Sequence, residues 1–317
     1  MMMTKHDCAR WLREQDNYLI LTHRRPDGDT LGSAAFFCRL LRKLGKTAHI
    51  LRNPEITPKY EPLHRDLTVE EAQSHHTLVC VDTASPNMIP DSFRPLENRI
   101  ALRIDHHATA SSFTPYELVE PEAAACGEIL YDLCAELGIS MDKSMAEALY
   151  TAVSTDTGCF RYANTTAHSF SVAAACAQAG GDLHSINQAI FDTNTLARLR
   201  IQGWMIENAR FLAGGKLVVC ALPLSVEQQI GVTEDDMENI SGFPRSIEGV
   251  KIAATIREIG DNTVKLSLRA LPGYDAGAIC AKFGGGGHKG AAGANLHMSL
   301  ADAADAVAKA MLETENL

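Results

Sequence analysis

The sequence lacks the features that mark a membrane-bound, exported or disulfide-rich protein. No segment approaches the roughly 18 uninterrupted apolar residues of a transmembrane helix. No apolar core of signal-peptide type follows residues 1–7. The nine cysteines are scattered singly from Cys8 to Cys280, and no pair has CxxC spacing, so neither a disulfide framework nor a thiolate zinc site is expected. We therefore expect a cytoplasmic protein with no membrane partner.

Positive charge is also scarce. The formal net charge is −10, from 39 acidic and 29 basic side chains. Proteins that track long nucleic acids usually carry a basic stripe that neutralises phosphates. We therefore expect no long nucleic acid as partner, and favour a small nucleotide held in a pocket by a few arginines and histidines.

A length of 317 residues suits two domains rather than one core. In the N-terminal half, short apolar runs alternate with stretches of helical periodicity, which indicates a doubly wound, mainly parallel α/β sheet. Strands are predicted over residues 18–22, 47–51, 78–81 and 100–104, and helices over residues 31–44, 123–137, 144–153 and 166–179.

The pattern changes after a long helix predicted over residues 195–212. We expect a smaller α/β domain with a mixed sheet, which contains a strand, a helical stretch up to about residue 240, a hairpin around Gly260-Asp261-Asn262 and a final helix over residues 301–311. The predicted limits are 1–190 for the first domain, 191–213 for a helical linker and 214–317 for a substrate-binding domain.

Four clusters of acidic residues and histidines lie at or near the ends of predicted elements. They are His23 with Asp27 and Asp29, then Asp82, then Asp105-His106-His107, and finally Asp156. Each aspartate motif alone is more often a turn or a helix cap, and a pair of histidines alone is usually a chance surface pair or a packed core pair. Three of them follow parallel strands, whose carboxyl ends share one edge where ligands bind, and the fourth can reach that edge. Their joint placement favours a functional site.

Aspartate and histidine together suit a divalent ion such as manganese, with iron, cobalt and zinc as alternatives. One ion needs only three or four protein ligands, whereas the clusters offer six, enough for two ions that share one carboxylate. Two ions about 3.5–4 Å apart clamp the attacking and the leaving oxygen of a phosphoester. The expected ligands are His23, Asp27, Asp29, Asp82, His106 and Asp156.

In their order along the chain, these motifs resemble those of the DHH phosphoesterases, a family named for the triplet seen here at Asp105-His106-His107. A fifth motif, Gly-Gly-Gly-Gly-His-Lys-Gly-Ala-Ala-Gly at residues 284–293, resembles the signature of the DHH-associated C-terminal domain. Within that family the chain is similar to the bifunctional oligoribonucleases (nano-RNases) with pAp phosphatase activity. The resemblance extends from about residue 18 to residue 311.

The resemblance implies a concrete set of roles for the metal-binding domain. His23, Asp27 and Asp82 would hold one ion. The second ion, with Asp82 shared, would be held by Asp29, Asp82, His106 and Asp156. Asp105 would orient a histidine through its ring N–H, and His107 would face the scissile phosphate and stabilise charge or assist the leaving group.

The two-domain layout predicts an active site in the cleft between the domains, and the resemblance implies which residues of the C-terminal domain bind the substrate there. His288 would contact the substrate phosphate. Gly285, Gly286 and Gly287 would let the backbone approach the phosphate and donate N–H groups to it. Arg269 resembles the family's Ser-x-Arg element and would clamp a terminal phosphate, although a solvated strand-end arginine is as good an explanation of that residue alone. For Arg161 and Arg245 the surface interpretation is favoured.

The expected reaction is metal-dependent hydrolysis of short oligoribonucleotides and of the 3′-phosphate of adenosine 3′,5′-bisphosphate. The leading alternative is a phosphodiesterase for linear dinucleotides such as pApA or pGpG. A single-strand exonuclease, a pyrophosphatase and a non-catalytic nucleotide sensor are less favoured. Some relatives carry a basic residue soon after the aspartate of the second motif, whereas here the next one after Asp82 is Arg94. A homodimer is compatible with the resemblance.

Overall fold

The computed structural model describes residues 1–108 and 111–313, and its internal contacts define two units, Met1–Thr193 and Asn194–Leu317. The last four residues of the predicted C-terminal domain, 314–317, lie outside the described residues. No helix in the described part of the chain has both the length and the apolar character that crossing a bilayer requires.

The first unit is built on a six-stranded sheet in the order β3-β2-β1-β4-β5-β6, with every pair parallel. Its strands are β1 (Tyr18–Leu21), β2 (Ala48–Leu51), β3 (Thr68–Val69), β4 (Thr77–Val81), β5 (Ile100–Asp105) and β6 (Tyr116–Val119). Its helices are α1 (Lys5–Glu14), α2 (Gly28–Lys43), α3 (Glu61–His64), α4 (Cys126–Glu136), α5 (Lys143–Asp156), α6 (Ala167–Gln178) and α7 (Leu183–Asn187).

Both faces of this sheet are covered, which explains why β1 and β4 are continuous apolar runs. Tyr18 and Ile20 belong to the large core that α1, α2, α4 and α5 build on one face. Leu19 and Leu21 point the other way, into a smaller core with Ile89. Short 3₁₀ segments at Pro86–Met88 and Asp91–Arg99 cover that second face. The doubly wound parallel sheet expected from the sequence is therefore confirmed.

Two glycines allow α2 and α5 to pack with their backbones almost in contact. A Cβ on Gly32 would lie 2.5 Å from the carbonyl oxygen of Ala148 and 2.7 Å from the amide nitrogen of Ala152. A Cβ on Gly28 would lie 2.3 Å from the side chain of Thr155. Because Gly28 begins α2 and Thr155 lies next to the end of α5, this close packing brings together the helix ends that carry Asp29 and Asp156.

The second unit contains a mixed six-stranded sheet in the order β11-β12-β10-β9-β8-β7, in which only the pair β8–β9 is parallel among the described strands. The strands are β7 (Arg210–Leu212), β8 (Leu217–Leu222), β9 (Ile252–Gly260), β10 (Thr263–Ala270), β11 (Gly286–Gly287) and β12 (Ala291–Leu296). The helices are α8 (Leu196–Glu207), α9 (Leu224–Ile230), α10 (Glu234–Met237), α11 (Ala276–Ala281) and α12 (Leu300–Leu312). This agrees with the mixed sheet expected for the smaller α/β domain.

Two helical predictions in this region were wrong in extent. The helix predicted over residues 195–212 ends at Glu207, because Arg210–Leu212 pairs with β8 as strand β7. The helical stretch predicted up to residue 240 is interrupted at Gly231, which takes the left-handed conformation at φ 76° and ends α9. Ile201 and Met205 of α8 are buried in the core of the second unit.

All nine cysteines are free, and eight of them are buried. Those eight serve as small core residues. Cys159 is half-buried.

Candidate metal centre

The predicted ligands gather at the carboxyl edge of the first sheet, where β1, β4 and β5 lie side by side. His23 follows the end of β1, Asp82 follows β4 directly, and Asp105 is the last residue of β5. The strand order reverses between β1 and β4, since the chain runs from β1 outward to β2 and β3 and then returns to β4. In open parallel sheets this switch point is where ligands bind.

Two histidines, the buried His23 and the partly buried His106, present the same ring nitrogen to the carboxylates. Nδ1 of His23 donates to the carbonyl of Arg24 at 2.8 Å, and Nδ1 of His106 donates to the carbonyl of Ala123 at 3.1 Å. In the neutral ring these bonds keep the proton on Nδ1, so that Nε2 is the nitrogen whose lone pair can bind a cation. A histidine that holds a metal through Nε2 usually has such a partner on its other nitrogen.

Asp82 lies between the two histidines. Its Oδ2 is 3.5 Å from Nε2 of His23, and its Oδ1 is 3.5 Å from Nε2 of His106. The residue is 2% exposed and has a left-handed backbone, at φ 53°, a conformation that aspartate tolerates better than most residues. One carboxylate therefore faces two separate imidazoles, as a ligand shared by two ions would.

Asp27 and Asp29 reach the site from the N-terminus of α2. Asp27 caps this helix, and its Oδ1 accepts from the amides of Asp29 and Thr30 at 3.1 and 3.2 Å while lying 3.6 Å from Nε2 of His23. Asp29 is fully buried, and its Oδ2 accepts from the amide of Cys126 at 2.7 Å. The positive end of the helix dipole favours both carboxylates.

Asp156 is the last residue of α5, and its Oδ2 lies 3.5 Å from Nε2 of His106. The side chain amide of Asn164 donates to the carbonyls of Asp156 and Ala124, both at 3.1 Å. This contact joins the end of α5 to the residue after Ala123, whose carbonyl holds His106. Asn164 was not singled out by the sequence, because a single asparagine in a loop carries no motif.

The structure thus brings all six predicted metal ligands together. Three groups of side chains have potential ligand atoms that lie within 4.8 Å of one another in each group. They are His23 with Asp27 and Asp82, Asp29 with His106 and Asp156, and Asp82 with His106 and His107. The first group is the set predicted for one ion, and the second contains three of the four residues predicted for the other. The fourth residue, Asp82, is grouped with His106 in the third group.

The electrostatics of the cluster favour bound cations. Burial, together with Asp82 and Asp156, raises the pKa of Asp29 well above its usual range. Burial also raises the pKa of Asp156 to about 7. Burial alone would lower the pKa of His106, but the neighbouring carboxylates Asp82, Asp29 and Asp156 outweigh it and raise that pKa to about 10. Divalent ions would offset the repulsion between these neighbouring carboxylates and let every carboxylate ionise.

A direct observation shows that the residues fit a metal. Oδ1 of Asp82 is buried without a hydrogen-bond partner among the described residues, and an unsatisfied carboxylate oxygen is costly to bury. A cation would satisfy this oxygen. The donor set of four carboxylates and two imidazoles is one that manganese, iron, cobalt or zinc accepts.

Asp105 and His107 form a second pair beside the cluster. Oδ1 of Asp105 is 2.8 Å from Nδ1 of His107, and Asp105 is completely buried whereas the His107 side chain is about one-third exposed. The hydrogen bond to Asp105, the largest cause, raises the pKa of His107. Since Asp105 occupies Nδ1, Nε2 is the nitrogen of His107 that remains for a substrate.

The sequence interpretation missed Arg103, which is 2% exposed. Its Nη1 lies 3.6 Å from Oδ2 of Asp105 and donates to the carbonyl of Ala84 at 3.1 Å, and its Nη2 lies 3.4 Å from Oε1 of Glu117. One signal was available: an arginine stands inside the apolar run of β5, two residues before Asp105. A charge in a buried strand needs a partner.

The glycine-rich motif of the second unit forms a tight hairpin. Gly286–Gly287 is β11 and pairs with β12. A Cβ on Gly285 would lie 2.3 Å from the carbonyl oxygen of Gly293, and one on Gly287 would lie 2.6 Å from that of Ala291. Packing against β12 therefore explains the glycines at 285 and 287. A Cβ on Gly286 would meet no described atom within 4 Å, so the space beside Gly286 is open to a ligand.

Arg269 and His288 lie close to this hairpin. Arg269 is on β10, where it pairs with Ala291 of β12. The amide of exposed His288 donates to the carbonyl of Ala291 at 2.8 Å. The second unit therefore places Arg269, His288 and the glycine loop at one end of its sheet. Their role in substrate binding stays a prediction.

Comparison with known proteins agrees with this geometry. Residues 17–153 match the N-terminal domain of the DHH family, and residues 214–314 match the DHHA1 domain. The chain belongs to the DHH family. The family expected from the sequence is confirmed, and with it the enzyme class, a metal-dependent phosphoesterase.

Several relatives cover most of the chain. It is 33% identical, over 87% of its length and 83% of the relative's, to the bifunctional oligoribonuclease and PAP phosphatase NrnA of Thermus thermophilus. It is 25% identical to the protein of the same name from Bacillus subtilis, over 92% and 93% of the two chains. The crystal structure of an exopolyphosphatase-related protein from Bacteroides fragilis has a TM-score of 0.86 at 22% identity, and covers 98% of this chain and 96% of that one. The last similarity supports the fold.

Proposed function

We propose that this chain is a two-metal phosphoesterase that hydrolyses short oligoribonucleotides and removes the 3′-phosphate of adenosine 3′,5′-bisphosphate. The observation that carries the proposal is the position of Asp82, whose two oxygens face His23 and His106 at 3.5 Å each. The relatives named as bifunctional oligoribonuclease and PAP phosphatase support the choice of substrates.

The six cluster residues fit two ions, and we propose manganese for both. His23, Asp27 and Asp82 would hold one, and the other would be held by Asp29, Asp82, His106 and Asp156. When bound, two such ions supply charge stabilisation for the attacking and leaving oxygens of a phosphoester.

The other polar residues have roles that need no metal. Asp105 fixes the ring of His107 through the 2.8 Å contact to Nδ1, so that Nε2 can donate to a phosphate oxygen or to the leaving group. On the second unit, His288 and Arg269 would bind a substrate phosphate, Arg269 through its guanidinium fork. The open side of Gly286 would let a phosphate approach the backbone amides.

The net charge of −10 supports a small substrate, because the net negative charge of the protein opposes the binding of a long polyanion. The proposed substrates are intracellular nucleotides, and on this basis we propose a cytoplasmic location. The homodimer compatible with the family resemblance stays a prediction.

The test is a side-by-side measurement of product release by the purified full chain with manganese. The substrates are adenosine 3′,5′-bisphosphate, a five-residue RNA, a pApA dinucleotide, a long single-stranded DNA and pyrophosphate. We expect turnover of the bisphosphate and the short RNA, with little of the long DNA or of pyrophosphate. Turnover of the dinucleotide alone would replace the proposal by a dinucleotide phosphodiesterase.

Two variants test whether turnover depends on the residues proposed to bind metal and substrate. Asp82→Asn should abolish turnover of every substrate, because it alters a ligand of both ions. His288→Ala should raise KM or lower kcat for the bisphosphate while the bound metal is unchanged. If His288→Ala changed neither constant, the proposed role of the second unit in substrate binding would be wrong.

A further inference from the structure

The segment directly after Asp156 has an unusual backbone. Three successive residues, Gly158, Cys159 and Phe160, have positive φ values of 58°, 57° and 62°. Such conformations are costly for residues with a side chain and persist only where the surroundings enforce them. Here the run begins two residues after a candidate metal ligand.

Hydrogen bonds around Thr157 hold this segment in place. The carbonyl of Thr157 accepts from the amides of Arg161 and Tyr162, both at 3.0 Å. The hydroxyl of Thr157 accepts from the amide of Phe160 at 3.1 Å. The tight turn therefore fixes the backbone of Tyr162 relative to the end of α5.

The ring of Tyr162 lies across Gly158. A Cβ built on Gly158 would be 2.3 to 2.6 Å from three atoms of this ring, so only glycine allows the ring to take that position. Tyr162 nevertheless remains 51% exposed. It is thus an aromatic side chain with one part held against the backbone and the rest open to solvent.

The same segment is joined to the candidate metal centre and carries a cation. The side chain of Asn164 bonds the carbonyl of Asp156 at 3.1 Å. Arg161 is exposed, and its Nε donates to the carbonyl of Gly158 at 2.6 Å. An open aromatic ring, a guanidinium and a phosphoester-cleaving cluster therefore lie within a few residues of one another in one unit.

We propose that Tyr162 is a stacking surface for a nucleobase of the substrate, with Arg161 contacting a neighbouring phosphate. This inference rests on the proposed function. Aromatic side chains stack on any base and basic side chains track the backbone, which is how single strands are bound without sequence preference. A ring held by Gly158 loses little freedom when a base stacks on it. The assigned ligand is a nucleobase of a short single strand.

The experiment compares base-bearing and abasic substrates on the full chain with manganese. The substrates are a five-residue RNA and an abasic ribose-phosphate oligomer of the same length. For Tyr162→Ala, we expect kcat/KM on the RNA to fall about 5- to 100-fold, with little change on the abasic oligomer. Tyr162→Phe keeps the ring and should retain activity on both.

Phe211→Ala serves as the matched control, because Phe211 is another exposed aromatic residue, 46% exposed, and lies in the other unit on β7. It should leave both rates unchanged. The manganese content of each variant is measured in the same samples, so that a lost ion is not mistaken for lost stacking.

The outcomes separate the two proposals. A wild-type protein that cleaves neither oligomer nor the bisphosphate overturns the proposed function and the stacking role with it. An active wild type with Tyr162→Ala unchanged, or impaired equally on the RNA and the abasic oligomer, overturns the stacking role alone. A tyrosine that served only as a protein contact would give the unchanged result or the equal impairment of both substrates.

Discussion

Nδ1 of His107 lies 2.8 Å from Oδ1 of the completely buried Asp105, whose other oxygen lies 3.6 Å from the guanidinium of Arg103. A buried cation, a buried carboxylate and a partly exposed imidazole thus form a line that ends beside the candidate metal centre. Such outer partners set the orientation of the group that meets the substrate.

Replacing Arg103 should therefore impair catalysis without touching a ligand. In Arg103→Met, Asp105 and Glu117 lose their shared cation, and His107 loses a fixed orientation. We expect kcat to fall about 10- to 100-fold, as is common for outer partners of an active site, with KM changing less. Steady-state kinetics on the bisphosphate measure this.

The control for Arg103 removes the opposing charge as well. The double variant Arg103→Met/Glu117→Gln no longer leaves Glu117 as an unpaired buried charge, so it should fold better than Arg103→Met while kcat stays low. Recovery of wild-type kcat in the double variant would show that Arg103 serves folding only.

The close packing of α2 on α5 gives a second prediction. In Gly32→Ala the added methyl would meet the backbone of Ala148 and Ala152 at 2.5 to 2.7 Å, which forces the helices apart at a cost of about 1–3 kcal/mol. Asp156 ends α5, so manganese affinity should fall as well. Urea unfolding and metal titration measure the two effects.

Gly203→Ala is the matched control, because Gly203 lies inside α8 and a Cβ there would meet no described atom within 4 Å. It should raise stability by about 0.5–1 kcal/mol and leave metal affinity unchanged. Equal behaviour of the two variants would argue against the packing explanation.

Most residues of the candidate metal centre could be predicted from the sequence because chemistry and position coincide there. Asp105 ends an apolar strand and Asp82 directly follows another, and parallel strands bring their carboxyl ends to one edge. Asp156 was harder, since it ends a helix, and a helix can approach the edge from several directions. Its place is decided by Gly28 and Gly32, whose importance is visible only once the helices are packed.

Other features of the fold depend on contacts between separate segments of the chain, which a local sequence pattern does not predict. β6 has only four residues, and its buried Glu117 breaks the apolar run that would mark a strand. α8 ends early because Arg210–Leu212 finds a strand partner in β8. The role of Arg103 depends on its ion pairs with Asp105 on its own strand and with Glu117 on the next strand.

The buried histidine of α3 gives a prediction on pH. Burial lowers the pKa of His64 to about 4, and its Nε2 donates to the carbonyl of Leu31 at 2.8 Å. Below about pH 6.5 the unfolded chain binds a proton at His64 that the folded chain does not bind. The free energy of unfolding therefore decreases as the pH falls from about 6.5 towards 4. Above about pH 7 the effect is absent.

Comparison of His64→Gln with the wild type isolates this loss. The glutamine keeps a donor and cannot titrate, so its unfolding free energy should fall less between pH 7.5 and 5.5, by about 1 kcal/mol. Urea unfolding at both pH values gives the difference. His75→Gln, at an exposed position, should behave as the wild type; an identical pH response in His64→Gln would contradict the assignment.

Substitutions in the glycine hairpin can test protein stability and substrate binding separately. Gly285→Ala should lower the free energy of unfolding by about 1–3 kcal/mol, because its methyl would overlap the carbonyl of Gly293. Gly286→Ala has open space, so it should leave stability unchanged and raise KM if a phosphate approaches the loop there. Thermal unfolding and kinetics of the two variants test this, and an unchanged KM in Gly286→Ala would remove the loop from the substrate site.

The central claim is that Asp82 is shared by two ions, and the number of bound ions tests it most directly. We would measure manganese per chain in the purified protein and in Asp27→Asn, Asp156→Asn and Asp82→Asn. The account predicts about two ions in the wild type, about one in each of the first two variants, and a loss of both in the third. A fully active wild type with a single ion, or an Asp82→Asn variant with normal metal content and turnover, would contradict it.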